Sequence, residues 1–209
     1  MNRLTTDLCR VFGDPPVAPR AVVRVEVGSG QGLDAAREEA DRLVDAGAEL
    51  VVLDAPGAGP GALAALALTL DVEPVAVVDP EDPDGWRERV LAVRALCRAA
   101  RPLLGDREAL LAHLDDAALT RATGLLAQLA DRRTPVLCGG GTTTAAAALL
   151  AARTSPTSWW LAGSAPVLPA AAKAWRSLGI EPLLDLGLAE GSADVAVAVV
   201  RAGLDQLGA

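Results

Sequence analysis

The sequence predicts an α/β fold, a mostly parallel sheet with helices on both faces. Two observations predict it. Short β-rich runs alternate with longer helical runs along the chain, and glycine-bearing turns follow several of the β-rich runs, as when a parallel strand hands the chain to a crossover helix. Residues 21–27 (AVVRVEV) read as the first strand. Leu33–Ala46 repeats apolar residues at helical spacing and stops at Gly47. The strand Glu49–Leu53, the Gly-rich turn Ala55–Gly61 and an Ala/Leu helix from Ala62 follow, and Pro74–Val78 is expected as another strand. A long helix over Asp84–Ala100 is closed by Pro102, which cannot continue it. Helical runs at Asp106–Leu114 and Ala117–Asp131 lead to the strand Thr134–Cys138. Gly139-Gly140-Gly141 then opens the helix Thr142–Arg153. A strand (Ser158–Ala162), a helix (Pro169–Leu178), a strand (Pro182–Leu184) and a helix from Ser192 complete the pattern.

Composition sets the limits. The chain has 209 residues, 51% of them hydrophobic, which suits one domain with a sizeable core. Residues 1–20 read as an amino-terminal arm, kept extended over Gly13–Arg20 by its prolines, and 21–209 as a single domain. A formal net charge of −8 argues against nucleic acid, which demands a basic footprint. The absence of Tyr and the single Phe argue against base-stacking platforms. Cys9, Cys97 and Cys138 are too few and too far apart for a disulfide framework or a zinc site, so no metal is expected. The longest apolar stretches end at Asp71 and Arg153, too short for a bilayer, and MNRLTTDLCR has no signal-peptide core. A cytoplasmic protein without a membrane partner is the expectation.

Ligands of parallel α/β sheets bind beyond the carboxyl ends of the strands. Here those ends are Asp54–Gly61, Asp79–Asp84, Cys138–Thr143, Gly163–Pro166 and Asp185–Glu190. The run Gly139-Gly140-Gly141-Thr142-Thr143 lets the backbone approach a ligand and then presents a helix start, where free N–H groups suit phosphate. The same run also reads as a tight turn with an N-cap. Gly57–Ala62 (GAGPGA), with Asp79 further on, loosely fits a dinucleotide fingerprint and makes a dinucleotide-dependent enzyme one alternative. Pro60 removes a donor from it. Glu190 stands before the last helix, where a carboxylate is either a general base or a complement to the helix dipole. His113, the one histidine, sits inside a helical run, which favours a packing or surface role.

Several runs then become recognisable in order: EPVAVV (Glu73–Val78), Gly85-Trp86, AARP (Ala99–Pro102), RRTPVL (Arg132–Leu137), TAAAALLAA (Thr144–Ala152), WWLAG (Trp159–Gly163) and LGIEPLLDLGL (Leu178–Leu188). Together they resemble the nicotinate-nucleotide:dimethylbenzimidazole phosphoribosyltransferases, over about residues 22–205. The resemblance implies a Rossmann-like sheet, a homodimer and no cofactor. It implies substrates of the kind nicotinate mononucleotide (or a related nucleotide) plus an aromatic base. The activity implied is assembly of the cobalamin lower ligand as α-ribazole 5′-phosphate. It assigns Glu190 the role of general base. Gly57 and Gly59 survive from the family's phosphate loop at Asp54–Ala62, and Arg89 aligns with a family lysine. With Gly139, Gly140, Gly141, Thr142 and Thr143 they make up the expected phosphate and ribose contacts. The chain departs from the pattern at Ala55, Pro60, Gly61 and Ala62, at the acidic Asp79–Pro83 and at Ser164–Pro169 (SAPVLP), which has lost every ionisable group of that family segment. Two expectations follow: a divergent transferase of this family, or a non-catalytic relative serving as partner subunit or small-molecule binder.

Overall fold

The computed structural model describes residues 3–14, 16–28, 32–55, 57–80, 83–185 and 192–207. Four strands, β1 (Val22–Glu26), β2 (Leu50–Asp54), β3 (Val136–Cys138) and β4 (Trp160–Ala162), form one sheet in the order β1-β2-β3-β4. All pairings are parallel, with Val22 opposite Leu50, Val51 opposite Val136 and Val136 opposite Trp160. The expected parallel α/β architecture is present.

Side chains alternate across the sheet, and that alternation builds two cores. Val51, Leu53, Val136, Cys138, Trp160 and Ala162 face the larger core. That core is filled by α2 (Leu33–Asp45), α3 (Pro60–Leu70), α4 (Pro83–Ala100), α5 (Arg107–Leu114), α6 (Ala117–Asp131), α7 (Thr142–Ala151) and α8 (Pro169–Ser177). Leu50, Val52, Leu137 and Leu161 point the other way and are covered by α1 (Arg3–Phe12) and α9 (Ser192–Gln206). Both faces are therefore closed, the second by the two terminal helices. α3 is built mainly of alanine and leucine and α7 is half alanine; both are buried almost throughout, and their small side chains let the helices lie close to the sheet and to each other. No helix among the described residues is long and apolar enough to cross a membrane.

Three expectations differ from the structure. Pro74–Val77 is a short 3-10 turn rather than a strand. Its proline cannot donate to a ladder, and both edges of β2 are already occupied, by β1 and β3. Only Leu184 of the expected strand Pro182–Leu184 makes a bridge, to Ser164 beside β4. The amino-terminal segment carries a helix: Leu8 and Val11 of α1 are buried in the second core, and Arg10 donates to the carbonyls of Ser158 and Trp160. Its apolar residues follow a helical period that the prolines after it obscure.

Candidate functional site

A cavity of about 270 Å³ opens beyond the carboxyl ends of β2 and β3. Five of the residues expected to hold phosphate line it: Gly57, Arg89, Gly140, Gly141 and Thr142. Asp79 lines it too, and an aliphatic wall of Leu63, Val77, Val78, Val167 and Leu168 closes the remaining side.

The glycines are fixed by close approach. A Cβ on Gly141 would stand 2.4 Å from the carbonyl oxygen of Ala55, and one on Gly139 would stand 2.5 Å from Oδ1 of Asp54. Only glycine lets the β3–α7 turn lie against the end of β2. Gly57 has φ +78, in the left-handed region that favours glycine. Thr143 is buried, and its hydroxyl donates to the Gly57 carbonyl at 3.0 Å, tying the two turns together. Gly139 and Thr143 thus support the cavity from behind rather than lining it. Gly141 is the N-cap of α7 and no side chain caps it. The first-turn N–H groups of α7 therefore face the cavity end of the helix with its positive dipole. Beside them the hydroxyl of Thr144 is fully buried and has no hydrogen-bond partner among the described residues.

Gly59 has a different part. It is the N-cap of α3, and a Cβ there would meet Oδ2 of Asp116 at 2.7 Å. Asp116 occupies that helix start: its Oδ2 accepts from the N–H of Ala62 and its Oδ1 from the N–H of Leu119 in α6, both at 3.0 Å. One carboxylate serves two helix N-termini, and an anion at α3 would have to displace it. This also removes the geometric basis for a dinucleotide site at Gly57–Ala62. Pro60 has no N–H, that of Ala62 is taken, and Asp79 follows a 3-10 turn rather than a strand. Asp116→Ala is expected to lower stability by about 2 kcal/mol, roughly one for each cap, and Asp116→Asn by about half that, since an amide keeps one acceptor. Urea denaturation of the three proteins checks the order; equal midpoints would contradict the double cap.

Glu190 lies outside the described residues. The helix after it, α9, begins at the same rim of the sheet. Arg24 holds Asp194 in its first turn through two contacts of 2.8 and 2.9 Å and stands 3.7 Å from Asp54. A Cβ on Gly163, just past β4, would meet Ala196 of α9 at 2.8 Å.

Other candidates stay outside the chemistry. His113 is exposed on α5, away from the cavity. Cys138 adjoins the glycine turn, but complete burial pushes its thiol far up, away from thiolate. Burial likewise raises the Cys97 thiol, partly opposed by the charge of Arg101. No group of three or more His, Cys, Asp or Glu side chains among the described residues could hold a metal. Asp116 and the aliphatic wall were not singled out from sequence. The Asp before Ala-Ala-Leu marks an N-cap, but nothing in it reveals the second helix it reaches.

A parallel α/β sheet with glycine turns, an uncapped helix start and an arginine around one cleft is the architecture class in which nucleotide-handling α/β proteins place their anion sites. A family model described as phosphoribosyltransferase (DBI_PRT) matches residues 26–207, and the chain belongs to that family. A nicotinate-nucleotide–dimethylbenzimidazole phosphoribosyltransferase of Streptomyces avermitilis is 37% identical over 201 residues, covering 85% of this chain and 54% of its own length. One from Mycobacterium bovis is 40% identical over 184 residues, with 84% and 51% covered. The crystal structure of the Thermus thermophilus protein of the same name superposes with a TM-score of 0.74 at 30% identity, covering 84% of this chain and 54% of that one. The chain thus spans about half the length of these relatives.

Proposed function

We propose that the cavity beyond β2 and β3 holds the 5′-phosphate of a pyridine ribonucleotide, and that the chain transfers its ribosyl phosphate to an aromatic base. The relatives' names specify nicotinate nucleotide and dimethylbenzimidazole, and the product would serve cobalamin lower-ligand assembly. The observation that carries this reading is the meeting of Gly57, Gly140, Gly141, Thr142 and Arg89 around one cavity at the end of a parallel sheet. Backbone N–H groups of the α7 start would bind phosphate oxygens, and Arg89 would add the charge-assisted contact. Glu190 would take the proton of the acceptor base. A homodimer and a cytoplasmic location belong to the same reading.

The phosphate contact is testable without turnover. Ribose 5-phosphate and nicotinate mononucleotide share that group, so Arg89→Ala should weaken both by about 10- to 100-fold in calorimetric titration, the effect of losing about 1.5–3 kcal/mol. Unchanged affinity for both would overturn the assignment. A second reading, a binder without turnover, is favoured by one observation: Asp116 fills the α3 start that a phosphate loop would use. It predicts nucleotide binding with no base released when dimethylbenzimidazole is supplied.

A further inference from the structure

Thr69 and Thr123 each donate a hydroxyl to the carbonyl one turn back, at 2.6 Å to Ala65 and 2.7 Å to Leu119, and Thr143 donates across to Gly57. Thr144, in the first turn of α7, is different: it is fully buried, and its Oγ1 has no hydrogen-bond partner among the described residues. The cause is its place in the chain. Four residues back stands Gly140, which precedes the N-cap Gly141, and Ala145 donates to Gly141 where the α7 ladder begins. The carbonyl that a threonine deeper in a helix would use is therefore not held in line by the helix. Helical side chains lean toward the amino end of their helix, so Oγ1 is aimed at the α7 start. A Cβ on Gly141 would stand 3.5 Å from it, and Gly141 lines the cavity. Glycine at 141 thus puts no side chain of its own between this hydroxyl and the cavity.

From this we infer that Thr144 is a binding residue, whose hydroxyl donates to the same phosphate group that the N–H groups of the α7 start hold. The inference rests on the phosphate-binding reading above. Threonine in a helix has two accessible χ1 rotamers, so the hydroxyl can swing toward Gly141 when an acceptor arrives. A hydroxyl that is unpaired before binding gives up no partner to make the new bond, so the bond contributes nearly its whole worth to affinity. The hydroxyl and the backbone N–H groups are all donors directed at one helix end, which suits a group made of acceptor oxygens.

The test pairs binding with stability on the full chain. Thr144→Val keeps the shape and removes the hydroxyl. It should weaken both ribose 5-phosphate and nicotinate mononucleotide by about 10-fold in calorimetric titration. It should also raise the melting temperature of the protein without ligand by at least about 2 °C, because an unpaired buried donor is gone. Thr144→Ser keeps the hydroxyl and should bind both ligands nearly as the wild-type chain does. A residue that only packs would give unchanged affinity in Thr144→Val, and that result, with ribose 5-phosphate still bound by the wild-type chain, would overturn the inference alone. So would a Thr144→Ser protein as weak in binding as Thr144→Val, or a melting temperature lowered in Thr144→Val, which would show the hydroxyl already paired. Failure of the wild-type chain to bind either ligand would overturn the inference together with the reading beneath it.

Discussion

Leu8→Ala is expected to lower the free energy of unfolding by about 2–5 kcal/mol, the cost of losing buried methyl groups and leaving a cavity that the surroundings cannot fill. Leu8 is fully buried in the second core, between α1, α9 and the face of the sheet formed by Leu50, Val52, Leu137 and Leu161. Its seat is shaped by glycine: a Cβ on Gly203 of α9 would stand 2.7 Å from Cδ1 of Leu8. The two terminal helices therefore approach closely with the leucine as the knob, and alanine is too short to reach. Chemical denaturation measures the loss, with Val17→Ala, 69% exposed, as a comparison expected to stay within about 0.5 kcal/mol. A Leu8→Ala midpoint as close to wild type as that of Val17→Ala would show that α1 contributes nothing to the fold.

That prediction falls on a segment the sequence reading took for an arm, and the reason is physical. Helix α1 has one buried stripe on a short, polar helix, and what it packs against, α9, lies at the other end of the chain. The central elements are different. β2 reads LVVLD and is buried on both faces, and α6 has fifteen residues with strong apolar spacing between a capping Asp and Arg132. Such elements announce themselves locally. Pro74–Val77 shows the opposite failure: EPVAVV has strand-like composition, but a strand needs a free neighbour, and β2 has none to offer. At the cleft, the turn after β3 pointed to Gly140, Gly141 and Thr142, and the family resemblance to Gly57; all four line the cavity. Local contacts separate these from Thr143, whose hydroxyl donates to the Gly57 carbonyl, and from Gly59, whose helix start is already occupied by Asp116. Neighbouring positions in one motif thus divide between facing the cavity and holding the turn, a distinction that depends on which way each backbone unit points.

Glu190→Gln should slow base release by about 10²- to 10⁴-fold in the presence of dimethylbenzimidazole, equivalent to about 2.7–5.5 kcal/mol of transition-state stabilisation, while leaving nucleotide affinity unchanged. The proposed reaction explains why. One ring nitrogen of the acceptor attacks C1′ of the ribose as the bond from C1′ to the pyridinium nitrogen breaks. The bonding pair returns to that nitrogen and cancels its positive charge, so the leaving group needs no proton. The acceptor, however, gains a positive charge as its bond to C1′ forms, and its other nitrogen must release a proton. A carboxylate accepts that proton; an amide of the same shape does not. Phosphate held by Arg89 and the α7 start fixes the ribose and contributes equally before and during the step, which is why binding and turnover should separate in this variant. A Glu190→Gln protein that releases base at the wild-type rate would remove position 190 from the chemistry. A wild-type chain that binds the nucleotide but releases no base would leave the cleft as a binding site alone.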